Sequence, residues 1–407
     1  MRQTYSTGRR CRITIECVPA PTRHPAQRNC FLPERRGGQS GSLSLCPTTG
    51  VRLGSRHSVA GLHPASIPPQ LPASAPNELV HGRRRDVEPW MGDHGHVAGN
   101  ASRALITSNR RITGLSADAI AELSAEIGPL WHECHQDRLA CRQRKRAVGA
   151  GAKLRLVFVD RLLATLLHLR HGTTHDVLAC WFGVDRSTIT RAIGEVRPLL
   201  AERGCTVSPD ARLRTLAEVV EHLGASGKTG IIDGTEIRVR RPAASRKDRD
   251  RFISGKNKQN AVKSMVVTDA KGCVLWCSPA EPGSCADITH ARQSGLVKLL
   301  ADGPAVEILA DAGYQGLGAQ TAGRVVTTPH RKFKKDALDW YEEIYERQRK
   351  AHSSRRLRVE HGIAHLKNWR SLTRHLGRRE HMSDNVQAVA GLLSHQQIVD
   401  LIPARQR

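Results

Sequence analysis

Three acidic residues stand where a charge needs a physical reason. Asp233 lies inside the apolar run Ile231-Ile232-Asp233-Gly234-Thr235, which reads as a β-strand, and a carboxylate there is costly unless it is paired or holds a cation. Strand alternation puts Glu236 on the opposite face, so the nearer acid in sequence is not the expected partner of Asp233. Asp311 repeats the situation at the exit of Val306-Glu307-Ile308-Leu309-Ala310, before Gly313 and Tyr314. Two acids at one sheet edge can hold two Mg²⁺ ions through oxygen ligands, with water completing the octahedra and Mn²⁺ as the expected substitute. A third ligand is expected on a helix. Arg356, Glu360 and Lys367 lie four and seven residues apart on a narrow arc, which turns Glu360 to the metals between two cations able to grip phosphates. Taken alone, that spacing describes a solvated Arg–Glu pair; the two strand aspartates are what make it a candidate ligand.

The elements that must carry these acids follow from hydrophobic periodicity. After residue 228 the texture is β-rich: Ile231 to Val239, Val262 to Val267, Val274 to Cys277, Val306 to Leu309 and Val325 to Thr327, with Asp269 to Gly272 as a hairpin turn. A helix over Ile288 to Leu300 separates the third and fourth strands, and a long helical region closes the chain. Hairpin strands followed by a helical crossover predict an α/β sheet of mixed direction. Upstream, Ser116 caps a helix through Ile120, Leu123 and Ile127, where order begins near Ile112. A basic stretch from Arg138 to Lys153 reads as a linker. The helix Leu154 to Arg170 follows, with Val159, Leu162, Leu163, Leu166 and Leu167 as its buried stripe and Gly172 at its end. Asp287, in the loop after Pro282-Gly283-Ser284, is expected to stabilise a turn.

Thr174 to Leu200 has the spacing of a helix-turn-helix: a helix ending at Trp181 and Phe182, a Gly183 turn, and a second helix from Asp185. The second helix of such a unit enters the DNA major groove. Arg186, Ser187, Thr188, Thr190 and Arg191 would supply its donors, while Ile189 and Ile193 face the core. An αα-hairpin with a polar outer face is the alternative. The charge balance favours DNA: 63 Lys and Arg against 38 Asp and Glu give a net charge of +25, for which a polyanion is the simplest partner. Basic segments Arg238 to Lys263 and Arg331 to Lys335 are expected to neutralise strand phosphates.

No apolar run approaches the ~20 residues of a membrane span, and the N-terminus lacks a signal-peptide core, so no membrane partner is expected and the chain is placed in the cytoplasm, with the nucleoid. The 11 scattered cysteines predict reduced thiols. Cys134, His135 and Cys141 lack the second pair that a zinc site needs. Residues 1–100, rich in Pro, Ser, Gly and Arg, are expected to be largely disordered, and Met91 is a candidate alternative start.

The ordered set of motifs resembles the DDE transposases of bacterial insertion sequences, in the group related to Harbinger-type transposases. The resemblance runs over roughly residues 113–395. It rests on Asp233-Gly234-Thr235-Glu236 with Arg241-Pro242; Ser254-Gly255-Lys256 and Lys263; Pro282-Gly283-Ser284 and Asp287; Ala310-Asp311-Ala312-Gly313-Tyr314-Gln315-Gly316; and Arg356-Leu357-Arg358-Val359-Glu360-His361 with Leu366-Lys367. Ser353 replaces a Tyr that related elements place before the glutamate motif, and Cys285-Ala286 stands where the family has a His beside the acid. The resemblance implies an RNase H-like catalytic domain over 228–395, preceded by an all-α helix-turn-helix domain over 112–205. It also implies catalytic and metal-ligating roles for Asp233, Asp311 and Glu360, and DNA contacts from Lys256, Lys263, Arg356 and Lys367. The implied reaction is metal-dependent cutting of double-stranded transposon ends and transfer of the freed strand into target DNA, by a homodimer or higher oligomer. A transposase-derived DNA-binding regulator and a host metal-dependent nuclease without strand transfer are the rival functions.

Overall fold

The computed structural model describes residues 100–141, 154–245, 247–330 and 338–401. The N-terminal segment up to residue 99 with Met91, the body of the basic linker (142–153) and the cluster Arg331 to Lys335 lie outside the described residues.

Helices come first. α1 (Asn100–Ser108) and α2 (Arg110–Thr113) precede α3 (Ala117–Ala140), so regular structure starts upstream of Ile112. The Asn109 carboxamide accepts from the Arg111 N–H at 3.0 Å and caps α2, and Ser116 caps α3 by accepting from the Ala119 N–H at 3.3 Å. Arg138 belongs to the last turn of α3 rather than to a linker. α4 (Phe158–His171) begins four residues later than Leu154, because the Asp160 carboxylate accepts the Val157 N–H at 3.3 Å and fixes the start there. Val159 therefore falls on the outer face and is exposed, while Phe158, Leu162, Leu163, Leu166, Leu167 and Leu169 are buried. Gly172, at φ +66°, ends α4.

α5 (His175–Phe182) and α6 (Arg186–Glu202) meet across Gly183 at φ +61°. Leu178, Phe182, Ile189 and Ile193 close a small core with Leu163 and Leu167 of α4. β1 (Cys205–Ser208), β2 (Ala211–Leu213) and α7 (Leu216–Ser226) then lead into the sheet. Thr215 and Glu218 form a reciprocal cap at the start of α7, with N–H to side-chain distances of 3.2 and 3.1 Å.

The sheet is built from β3 (Gly230–Val239), β4 (Ala261–Asp269), β5 (Val274–Cys277), β6 (Glu281–Pro282), β7 (Ile308–Ala310), β8 (Val325–Thr327) and β9 (Arg374–His375), with α8 (Asp287–Gln293), α9 (Leu296–Asp302), α10 (Leu317–Gln320), α11 (Asp339–Lys367) and α12 (Met382–Leu401) around it. The strand order is β5-β4-β3-β7-β8, with β6 on β4 and β9 on β3. β3, β4 and β5 pair antiparallel and β3, β7 and β8 parallel. A three-stranded meander extended by parallel strands after a helical crossover is the RNase H-like arrangement. The crossover is two helices, not the single one expected over Ile288 to Leu300, because Gly295 takes φ +81° between them.

Alternation along β3 and β4 divides the interior. Ile232, Met265 and Val267 face a core shared with α7, α8 and α9. Ile237, Val239, Val262 and Val266 face the other core, which includes Val386 and Leu392 of α12, Leu123 and Trp131 of α3, and Val196 and Leu200 of α6. The helix-turn-helix and the sheet are thus packed through common side chains.

A buried carboxylate fastens α6 into that core. Glu195 accepts from Trp131 Nε1 at 3.0 Å, Arg138 at 2.9 Å and Arg161 at 2.7 Å, and both the Glu195 and Arg161 side chains are nearly inaccessible. Removing one member of a buried ion pair strands the other charge. Glu195→Ala is expected to lower the unfolding free energy by about 3–5 kcal/mol, and pairing Glu195→Leu with Arg161→Met to recover part of it, as read from denaturant midpoints. A single variant as stable as wild type would remove Glu195 as the fastening.

Candidate active site

β3 presents Asp233 on the face crossed by α11, two residues from Ile231 in the same alternation. The register explains what lies beside it. Gly230 pairs with Ile308 and Ile231 with Leu309 in parallel, so two further residues along both strands bring Asp311 level with Asp233, just past the end of β7. Asp311 caps the following turn, its Oδ1 accepting the Gly313 N–H at 2.9 Å. Asp233 Oδ1 accepts the Gly234 N–H at 2.8 Å, and its Oδ2 accepts from Arg356 at 3.1 Å. Burial pushes the Asp233 carboxyl up to about 6. The Arg356 guanidinium opposes that rise, and the charges of Asp311 and Asp287 add to it.

Glu360 is not brought into this group. It is exposed and makes no ion pair among the described residues. The helix explains the difference. Val359 is fully buried against Ile231 and Leu309, and Leu366 and Ile363 share its inward arc. At ~100° per residue, Arg356, Lys367 and Glu360 fall in that order away from this centre, all on one flank, with Glu360 outermost. The arc read from sequence exists, but the tertiary contact at Val359 decides how far it turns to the sheet. Among the described residues, no three His, Cys, Asp or Glu side chains stand close enough to ligate one ion. The Asp233–Asp311 pair itself suits a hard divalent cation: its donors are all oxygen, and the charge repulsion between them asks for one.

The remaining predicted contacts are distributed differently. Lys367 donates to the backbone carbonyl of Glu236. Lys263 reaches Asp287 at 3.2 Å and Glu236 at 3.6 Å. Glu236, on the face opposite Asp233, also accepts from Ser254 Oγ at 2.7 Å and Asn257 Nδ2 at 2.8 Å, and so holds the loop that presents Lys256 to solvent. Arg186, Ser187, Thr190 and Arg191 are exposed on α6 and Thr188 is half-buried. Arg186 lies 3.5 Å from Asp176, and the Thr190 hydroxyl is bonded to His175 at 2.9 Å. Sequence reasoning missed that the Asp287 carboxylate lies against Gly234 and Gly313, the glycines that follow the two aspartates, an approach created by the packing of α8.

Residues 232–394 match the family described as DDE superfamily endonuclease, and residues 154–206 match the helix-turn-helix of DDE superfamily endonuclease. The chain belongs to the DDE-superfamily transposases. It is 29% identical over 57% of its length to a putative transposase for insertion sequence element IS112 of Streptomyces albus G, covering 77% of that protein. It is 24% identical over 62% of its length to a probable transposase for insertion sequence element IS702 of Microchaete diplosiphon, covering 85% of that protein. Both relatives are bacterial insertion-sequence transposases, and a transposase role follows for this chain. Among solved structures, the Mos1 transposase paired-end complex with left transposon end is 14% identical, over 64% of this chain and 86% of that one, with a TM-score of 0.16. No helix among the described residues is long and apolar enough to cross a membrane.

The transposase carries Asp233 at a cost that pH reveals. The native state holds this carboxyl as the acid more readily than the unfolded chain does. Stability attributable to it therefore falls as pH rises from about 4 to about 6, and the full cost stands above that window. The shift from 3.8 to about 6 corresponds to roughly 3 kcal/mol. Asp233→Asn is expected to raise the metal-free melting temperature at pH 7.5, with the gain shrinking toward zero near pH 4. A variant no more stable than wild type at pH 7.5, in calorimetry with chelator, would contradict the desolvated carboxylate.

Proposed function

We propose that this transposase cuts double-stranded DNA at the ends of its element and joins the freed strand to target DNA, with Asp233, Asp311 and Glu360 as the acids that hold divalent cations. The observation that carries the reading is the parallel β3–β7 register, which sets two aspartates level at one end of an RNase H-like sheet. Mg²⁺, with Mn²⁺ in its place, would stabilise the entering and leaving oxygens of an in-line phosphoryl displacement. Asp233 from within β3 and Asp311 from just past the end of β7 would supply oxygens to the cations, and Glu360 would supply one from the exposed flank of α11. Arg356 pairs with Asp233, and with a cation bound there it would be available to a strand phosphate. No covalent enzyme intermediate is needed, so no nucleophilic side chain is assigned.

The reading helix is α6. The exposed side chains at its start, Arg186, Ser187, Thr190 and Arg191, lie outside the small core that holds Ile189 and Ile193, as a helix entering a major groove requires. Two ends must be held together for transposition, which favours a homodimer or higher oligomer on DNA.

Asp233→Asn, Asp311→Asn and Glu360→Gln are each expected to abolish metal-dependent cleavage of end-containing duplex while leaving duplex affinity within a few-fold of wild type. Cleavage that persists in any one of them takes that residue out of the site. Arg186→Ala or Arg191→Ala is expected to weaken binding to the element's ends more than to random DNA, by roughly 1–3 kcal/mol for a lost bidentate base contact. A lost phosphate contact would instead lower both affinities together and flatten the salt slope. Unchanged binding to both DNAs in both variants would return α5–α6 to a structural hairpin.

A further inference from the structure

Asp287 does more than stabilise a turn. It is the first residue of α8, which packs on the face of the sheet opposite α11. A Cβ placed on Gly234 would stand 2.7 Å from Asp287 Oδ1, and one on Gly313 would stand 3.3 Å from its Oδ2. These are the glycines that follow Asp233 directly and Asp311 by two residues. One carboxylate is thus lodged against both backbones that carry the candidate metal ligands, and each position has room for it because it lacks a side chain. Lys263 backs it from behind, 3.2 Å from Oδ1 and 3.6 Å from Glu236, its side chain only 12% exposed. Glu236 and Lys263 are cross-strand partners in the β3–β4 register, so the lysine is fixed by the sheet itself. A lysine engaged by two carboxylates is poorly placed as the phosphate contact that its position in the sequence suggests.

We propose that Asp287, held by Lys263, is a positioning residue for the metal centre: its carboxylate is the spacer that sets the gap between the Asp233 and Asp311 backbones. This rests on the reading of those two aspartates as metal ligands. A role confined to the start of α8, a helix of only seven residues, would affect stability and leave metal affinity alone. A phosphate role for Lys263 would appear in DNA binding and its salt dependence, not in metal binding without DNA.

The test is Mn²⁺ binding to the full-length protein without DNA, followed by the loss of the free-ion electron paramagnetic resonance signal, well below the melting temperature of each variant. Residues that orient metal ligands typically cost 10–100-fold in affinity when lost, so Asp287→Ala and Lys263→Met are each expected to weaken binding by about tenfold or more. Because both act through one contact, the double variant should be no weaker than the worse single one. Gly234→Ala, which presses on Asp287 Oδ1 while leaving every acid in place, should reproduce the defect. It also keeps the test open if Asp287→Ala fails to fold. If Asp287→Ala, Lys263→Met and Gly234→Ala bind Mn²⁺ as wild type does while Asp233→Asn and Asp311→Asn lose it, the positioning role is overturned and the metal reading stands. Wild-type binding by Asp233→Asn and Asp311→Asn would overturn the metal reading and this inference with it. Additive losses in the double variant would overturn the shared contact.

Discussion

A carboxylate taken out of water inside a β-sheet sets the terms for the architecture around it. Asp233 has few ways to remain tolerable in an apolar strand: a hydrogen bond from Gly234, the guanidinium of Arg356, or a cation shared with Asp311. Each requires a partner held in register with a central strand. β3 meets that requirement because it is paired on both sides, antiparallel along nearly its whole length to β4 and parallel to β7 at the end where the aspartates lie. α11 has to cross close above it to deliver Arg356. That approach is visible where Gly362 faces Thr268 and where Gly272, at φ +87°, lies against the Arg358 carbonyl. A side chain at either glycine would lift the helix from the sheet.

The same constraint reaches the helix-turn-helix. α6 packs on α12, which in turn covers β5 and β1, and the buried Arg203 joins α3, β1 and α12 through Glu126, Thr206 and His395. Glu195 adds a second fastening through α3 and α4. A helix-turn-helix attached by packed helices and buried charges has its orientation to Asp233 set by side-chain contacts. Interiors packed to crystal-like density respond as units, so damage at Glu195 or Arg203 would be felt at the sheet as well as at α6.

Local chemistry was legible in the sequence, and long-range chemistry was not. The Asp233 strand, the Asp269 to Gly272 hairpin, the Gly183 turn and the Gly172 stop all follow from apolar alternation and from glycines that adopt positive φ. Sequence and structure part where a neighbour decides. α4 starts at Phe158 because of one Asp160 hydrogen bond, which exposes Val159. Gly295 divides a continuous apolar run into α8 and α9. The Thr215–Glu218 cap of α7 has a sequence pattern, whereas β6 and β9, two residues each, have no sequence signature. Asp287 looked like a loop acid because nothing in its own segment reports Gly234 and Gly313. Those contacts join residues far apart along the chain.

The placement of Glu360 follows from how α11 is held. Arg356 and Glu360 are one turn apart on the same flank, about 5–6 Å between Cβ atoms, and Arg356 already occupies Asp233 Oδ2. For Glu360 to join the two aspartates, either the helix advances by about a turn or the side chains exchange places over a fixed helix. The first route would pull Val359 from its pocket against Ile231 and Leu309 and drive the Gly362 backbone past Thr268. Burying an aliphatic side chain is worth about 1.5–3 kcal/mol, which the moving helix would forfeit before gaining a ligand. An exchange forfeits only the Arg356–Asp233 pair, in a partly solvated setting where a divalent cation offers Asp233 a stronger counter-charge. The fixed helix is therefore the favoured frame, and the proposed ligand set would form through the long reach of an arginine and a glutamate rather than through motion of α11.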